Sequence, residues 1–243
     1  MRSVERSMKL GPKRFYKSVD VKGDTAPFAI LLDGKPVRTP ATHTLRAPTR
    51  ALADAVAGEW RAQVEHIVPD TMPLTKALNT ALDRVAANRE AVIDDLAKYA
   101  RDDLLCYRAA SPGELVRRQA AAWDPWLDWA AERFGARLLV VTGIAHIDQP
   151  PEALTRLRAA IAAHDAYRLT ALHTGITLTG SVVLGLAFAA QAVMADETLA
   201  AAQIDEDYQA EHWGRDAEAE TVRARRRDEL RASQRFIELF AQA

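Results

Sequence analysis

The chain has little sulfur and few of the local signatures that mark catalysts. A single cysteine, Cys106, among 243 residues excludes an internal disulfide and a cysteine-only metal site, and a buried thiol is its expected fate. The six histidines (His43, His66, His146, His164, His173 and His212) never form His-Glu-x-x-His and find no Cys partners for structural zinc. Gly175, Gly180 and Gly185 are not followed by the Lys-Ser/Thr of a phosphate cradle, which speaks against ATP hydrolysis. Gly-x-Ser-x-Gly is absent, and Ser181 after Gly180 is no substitute for a nucleophile elbow. An excess of charge is lacking too. With 32 basic and 33 acidic side chains the chain offers no global attraction to nucleic acid or anionic lipid. Arg223, Arg225, Arg226, Arg227 and Arg231 are interleaved with or preceded by Asp216, Glu218, Glu220, Asp228 and Glu229, and read as a salt-bridged helix surface. The longest apolar run, Leu178 to Met194, carries Thr179, Ser181 and Gln191 and is marginal for a bilayer. It reads as one central buried helix, with Gly180 and Gly185 suited to close packing, so no integral membrane segment is expected. Residues 1–13 hold no apolar stretch of a secretory leader, and Glu5 argues against a transit peptide.

What is present is an ordinary globular balance, 49% hydrophobic and 27% charged. Residues 13 to about 47 alternate: Phe28, Ile30 and Leu32 lead into Asp33-Gly34, then Val37 and Thr39. That pattern predicts a tight hairpin with Pro36 on an edge strand, flanked by strands over Phe15 to Val21 and Thr42 to Arg46. After Pro48 the period becomes helical. Leu52, Val56, Trp60 and Val64 form one stripe, and Leu74, Ala77, Leu78, Ala81, Leu82 and Val85 form a stronger one, with Asn79 and Asp83 on another face. Ala91 to Tyr107 predicts a further helix, and Ser111-Pro112-Gly113-Glu114 a capped start. Trp123-Asp124-Pro125-Trp126 predicts an interruption or a kink, Arg137 to Thr142 a short strand, and helices resume at Pro151. The expected fold is α+β: a small antiparallel β region over 1–47, then a larger, mainly helical domain over 48–243.

The feature least like a core helix is Asp205-Glu206-Asp207-Tyr208-Gln209 followed by Trp213-Gly214. With a helix starting after Asp196, Leu199, Glu206 and Trp213 recur at seven-residue spacing on one face. The plainer alternative is a solvated acidic patch or a carboxylate tied to an arginine.

Ordered motifs along nearly the whole chain are similar to one family. They begin at Lys13-Arg14-Phe15-Tyr16-Lys17 and Leu32-Asp33-Gly34-Lys35-Pro36-Val37-Arg38-Thr39-Pro40. Glu59-Trp60 with Gln63 and Thr71-Met72-Pro73-Leu74-Thr75 with Asn79 and Asp83 follow. Asp103 to Tyr107, Gln119 with Trp123-Asp124-Pro125, Thr179-Gly180-Ser181, and Asp205 to Gln209 with Trp213-Gly214 complete the set. The chain resembles the assembly chaperones that escort the α subunit of F-type ATP synthase into its hexamer. The resemblance implies a non-enzymatic protein without cofactor or catalytic residues, which binds unassembled α subunit and shields the surface destined for the β subunit. It places partner binding at Asp205, Glu206, Asp207, Gln209 and Trp213, with Glu206 foremost, while Trp60 and Thr71 to Thr75 are structural. The short, alanine- and arginine-rich chain is similar to bacterial members, which implies the cytoplasm, or the mitochondrial matrix for a eukaryotic source. The oligomeric state stays open. Two rivals stand beside this reading: an acid–base enzyme using Asp205, Glu206 and a histidine in a helical cleft, and a nucleic-acid binder using the arginines after residue 222.

Overall fold

In the computed structural model, which describes residues 11–143 and 145–241, Asp33 and Gly34 take φ of 48° and 76°. They close a hairpin between β2 (Phe28–Leu32) and β3 (Lys35–Pro36). Positive φ at both central residues matches the twist of the flanking strands, which is why Asp-Gly serves here. The Asp33 carboxylate accepts the amides of Ser18 at 2.7 Å and Lys17 at 2.9 Å, and these bonds hold its pKa below the usual carboxylate range. β1 (Val19–Lys22) and β4 (Arg46–Ala47) both pair antiparallel with β2, Val19 opposite Leu32 and Ala47 opposite Phe28. Pro36, lacking an N–H, lies in the terminal strand of the order β1-β2-β3. The strands are shorter than the alternation predicts: Phe15 lies before β1, and of Thr42 to Arg46 only Arg46 enters β4.

Helix α1 (Arg50–Arg61) starts where Thr49 Oγ1 accepts the Leu52 amide at 3.2 Å; the same hydroxyl donates to the Leu239 carbonyl at 2.7 Å. The helix buries Leu52, Ala53, Val56 and Ala57 and stops at Arg61. Val64 therefore lies outside it and is 78% exposed, contrary to the stripe drawn from periodicity. Gln63 locks the corner that follows. Its Oε1 accepts the Val68 amide at 2.7 Å, and its Nε2 donates to the Glu59 carbonyl and Thr71 Oγ1. Helix α2 (Pro73–Thr80) has no side-chain cap from its own N-cap residue, Met72. Glu59 supplies one from α1, accepting the Leu74 and Thr75 amides and the Thr75 hydroxyl, each at 2.7 Å. Burial raises the Glu59 pKa against those hydrogen bonds. The helix continues as a wider π-type turn over Ala81–Val85, from which Asp83 accepts the Thr39 hydroxyl at 2.6 Å and the Ala41 amide at 2.9 Å, with His43 Nδ1 at 3.0 Å.

These elements form one compact unit, residues up to Ala87 together with the segment from Arg235; Asn88–Gln234 form the second. The division follows packing rather than the change from strand to helix at 47/48, because α1 packs on β1, β2 and β4.

In the second unit α3 (Arg89–Lys98) ends well before Tyr107, and Leu104–Cys106 form a single 3-10 turn. β5 (Tyr107–Arg108) pairs parallel with β6 (Val141–Thr142). α4 (Gly113–Phe134) runs through Pro125 without the predicted interruption, and its N-cap is Pro112, with Ser111 outside it. α5 (Pro151–Ala162) precedes α6 (Ala166–Thr179), which ends at Gly180 with φ of 72°. The run read as one helix over Leu178 to Met194 is thereby broken, and α7 (Val182–Ala189) starts afresh with all eight residues buried. Glycine lets α6 and α7 approach. A Cβ on Gly175 would sit 3.2 Å from Gly185 Cα, and one on Gly185 would overlap Ile176.

The buried start of α7 is satisfied by Asp103, itself 0% exposed, which accepts the amides of Val183 at 3.2 Å and Leu105 at 3.1 Å. Burial pushes the Asp103 pKa up to about 6, opposed by the Ser181 hydroxyl and these amides. Cys106 is buried beside it, its thiol pushed up to about 12 by burial and the Asp103 charge.

Glu59→Gln replaces a carboxylate facing two amides with a group that accepts through one atom. It is expected to lower stability by about 2 kcal/mol, read as a lower urea midpoint at unchanged slope. Asp103 gives a pH signature. Its folded pKa lies above the ordinary value of 3.8, so its contribution is full below that value and is lost as pH rises through about 6. Asp103→Asn should remove this component, measured by comparing urea melts of both proteins at about pH 5 and about pH 7.5.

Candidate functional site

The acidic cluster does not continue the helix that begins near Asp196. α8 (Ala195–Ala202) stops at Gln203, whose φ of −115° and ψ of 23° break the helix, and α9 (Ile204–Trp213) begins on the next residue. Leu199 therefore belongs to another helix, and the seven-residue face drawn through Leu199, Glu206 and Trp213 is not continuous. Asp205, Glu206 and Asp207 occupy the first turn of α9, where negative charge favours the unpaired amides of the helix start.

Two of these three carboxylates are held by the protein itself. Asp205 Oδ1 accepts from Gln119 Nε2 at 2.6 Å; Gln119 is 1% exposed, and its Oε1 accepts the Ala109 amide at 2.8 Å. Asp207 pairs closely with Arg223 on α10 (Ala217–Phe240), whose guanidinium also reaches Glu220 at 3.9 Å. The inner side of α9 is an aromatic seat. Tyr208 is buried and stacks on His212 at 4.1 Å between ring centres, while the Arg118 guanidinium lies over the Tyr208 ring. Arg118 is held by Glu114 and Glu211, both at 2.7 Å. His212 Nδ1 lies 2.8 Å from the Tyr208 carbonyl, which can only accept, so this nitrogen carries the proton. Behind the seat, Trp123 Nε1 donates to the Ala201 carbonyl at 2.7 Å.

What remains outward is Glu206, Gln209 and Trp213, at spacings of three and seven that share one helix face. All three are exposed, Trp213 by 78%, just before Gly214 with φ of 93°. Of the five residues singled out in the sequence, the structure thus gathers three on an open face and turns Asp205 and Asp207 into supports. Gln119, Arg118 and Arg223 were not assigned to the site by sequence reasoning, because their partners lie 86, 93 and 16 residues away. Gln119 already stood among the residues carrying the resemblance, and that was its only sequence signal.

The ATP12 chaperone protein family matches residues 13–131. The solved structure of Atp12 from Paracoccus denitrificans is 46% identical, covers 94% of this chain and 98% of its own, and superposes with a TM-score of 0.90. The chain belongs to the ATP12 chaperone family. The Atu1473 protein of Agrobacterium tumefaciens, also 46% identical, covers 93% of this chain and 85% of its own with a TM-score of 0.87. More distant is the mitochondrial protein atp12 of Schizosaccharomyces pombe, 22% identical over 215 residues, 83% of this chain and 74% of that protein. An ATP12 chaperone is not an enzyme, and the acid–base reading finds no support in the cluster, where His212 is engaged with backbone and Asp205 and Asp207 with side chains. The arginines proposed for nucleic acid are likewise in part committed: Arg223 to Asp207 and Arg231 to Asp196, the latter by two bonds of 2.8 and 2.7 Å. No helix among the described residues is long and apolar enough to cross a membrane.

Asp207→Ala leaves the Arg223 guanidinium, 17% exposed, without its closest counter-charge. A loss of about 1 to 2 kcal/mol is expected in thermal or urea melts, and a wild-type midpoint would show that the pair does not hold α10 to α9.

Proposed function

We propose that this protein is an ATP-independent assembly chaperone that binds the unassembled α subunit of F-type ATP synthase and covers its β-facing surface until the hexamer forms. The observation that carries this reading is the outward face of α9. Exposed tryptophan is a residue type that anchors interfaces, and here it stands with Glu206 and Gln209 on a helix whose opposite side is fixed. An orphan subunit exposes apolar area that drives aggregation, and a cover of modest affinity lowers its free concentration while leaving it available for its proper partner. In this reading Trp213 supplies buried apolar area, Gln209 an adaptable polar contact, and Glu206 a charge that steers encounter with basic groups on the α subunit. Asp205 and Asp207 act through the geometry of α9 as positioning residues. Release comes by exchange with the β subunit, in the bacterial cytoplasm or, in a eukaryotic source, the mitochondrial matrix.

Freshly diluted α subunit, followed by light scattering without nucleotide, should aggregate less when this protein is added at near-stoichiometric ratio, and added β subunit should reverse the protection. Glu206→Gln removes charge at nearly constant volume. It should leave stability within about 1 kcal/mol while weakening capture of the α subunit, because an exposed side chain contributes little to folding. Capture equal to wild type would remove Glu206 from the interface; absence of any protection by the wild-type protein would remove the function itself.

A further inference from the structure

The first unit carries an open apolar feature that neither its core nor the α9 face uses. Lys13 makes an antiparallel bridge with His66, and the Arg14 amide donates to the Glu65 carbonyl at 2.8 Å. Phe15 and Val64, just beyond this bridge on either segment, are both left to solvent, at 68% and 78% exposure. Phe15 also forms one wall of a groove of about 420 Å3 whose other walls include Tyr16, Trp60, Leu32, Pro36 and Val37. Lys35 and Arg38 line the same groove. Its one acid, Asp33, keeps its charge while accepting the amides of Lys17 and Ser18, and the two cations outnumber it, so the charge lining the groove is positive in balance.

We propose that this groove is a second docking surface, which takes an extended segment of the unassembled α subunit carrying one bulky apolar side chain flanked by carboxylates. The inference rests on the function proposed above and adds a contact of opposite charge to the acidic α9 face. The volume holds one large apolar side chain with its adjoining backbone, and the Lys35 and Arg38 charges select acidic neighbours.

The test places the photo-reactive p-benzoylphenylalanine at Phe15 in one full-length protein and at Trp213 in another, each irradiated with purified α subunit. Cross-linking to the α subunit from position 15 supports the proposal, whether or not position 213 also cross-links. Phe15→Ser and Lys35→Glu should each weaken capture of the α subunit by about fivefold or more, with melting temperatures close to wild type, as expected for exposed interface residues. Lys35→Glu should lose more at low salt than at high salt. Cross-linking from position 213 alone, with wild-type capture by both variants, overturns the groove and leaves the proposed function standing. Cross-linked dimers of this chain from position 15 overturn it in favour of a second copy as occupant. Failure of the wild-type protein to capture the α subunit overturns the proposed function, and the groove assignment falls with it.

Discussion

The second unit is organised around a helix that water cannot reach. All eight residues of α7 are buried, so the amides at its N-terminus must be satisfied by protein groups, and Asp103 with Ser181 does this. Asp103 reaches α7 because the Leu104 amide is tied to the Gly180 carbonyl at 3.1 Å, which brings the turn before β5 against the turn between α6 and α7. Around α7 pack α4, α5, α6 and α8. Two of those, α4 and α8, then hold the outer layer: α4 provides Gln119, Arg118 and Trp123, and α8 ends at the break from which α9 starts. A single buried carboxylate thus underlies a surface several layers away, through packing alone.

The features legible in the sequence are those whose cause is local. Asp33-Gly34 makes its hairpin from its own backbone preferences, and the helical period that starts after Pro48 is α1. The acid cluster as a carboxylate tied to arginine was among the alternatives, and Asp207 with Arg223 is that case. The features that misread depend on partners far along the chain. Apolar content marks Leu178 to Met194 as buried but does not say that Gly180 turns left-handed there and begins a new helix. Periodicity carried α1 on to Val64 because it does not register Gln63, whose side chain closes the corner onto Val68. The spacing through Leu199, Glu206 and Trp213 failed for a similar reason, a backbone break at Gln203 within a stretch rich in helix formers. Pro125 reads as an interruption or a kink, and α4 continues through it, held on either side by Trp123 and Trp129 contacts.

Many of the polar residues that carry the family resemblance are joints. Glu59, Gln63 and Thr71 to Thr75 fasten one corner, Thr39 and Asp83 another, and Asp103 with Ser181 a third. Motif similarity therefore reports chiefly on how the chain is fastened, while the surface that meets a partner is carried by few side chains among many ordinary exposed ones. This is why the fold was more readable than the site. A joint needs particular atoms at particular places, whereas an interface needs area and charge, which many residues can provide.

The buried Cys106 has a consequence for the chemistry of the whole chain. Its thiol is 0% exposed and held protonated far above neutral pH, so the thiolate that reacts with alkylating agents, disulfides or peroxide is scarcely present. With no other sulfhydryl in the sequence, the folded protein offers no reactive thiol to its surroundings. In any complex that the folded chain enters, its own sulfur contributes no mixed disulfide, so no reductant is needed on its side for the two to part.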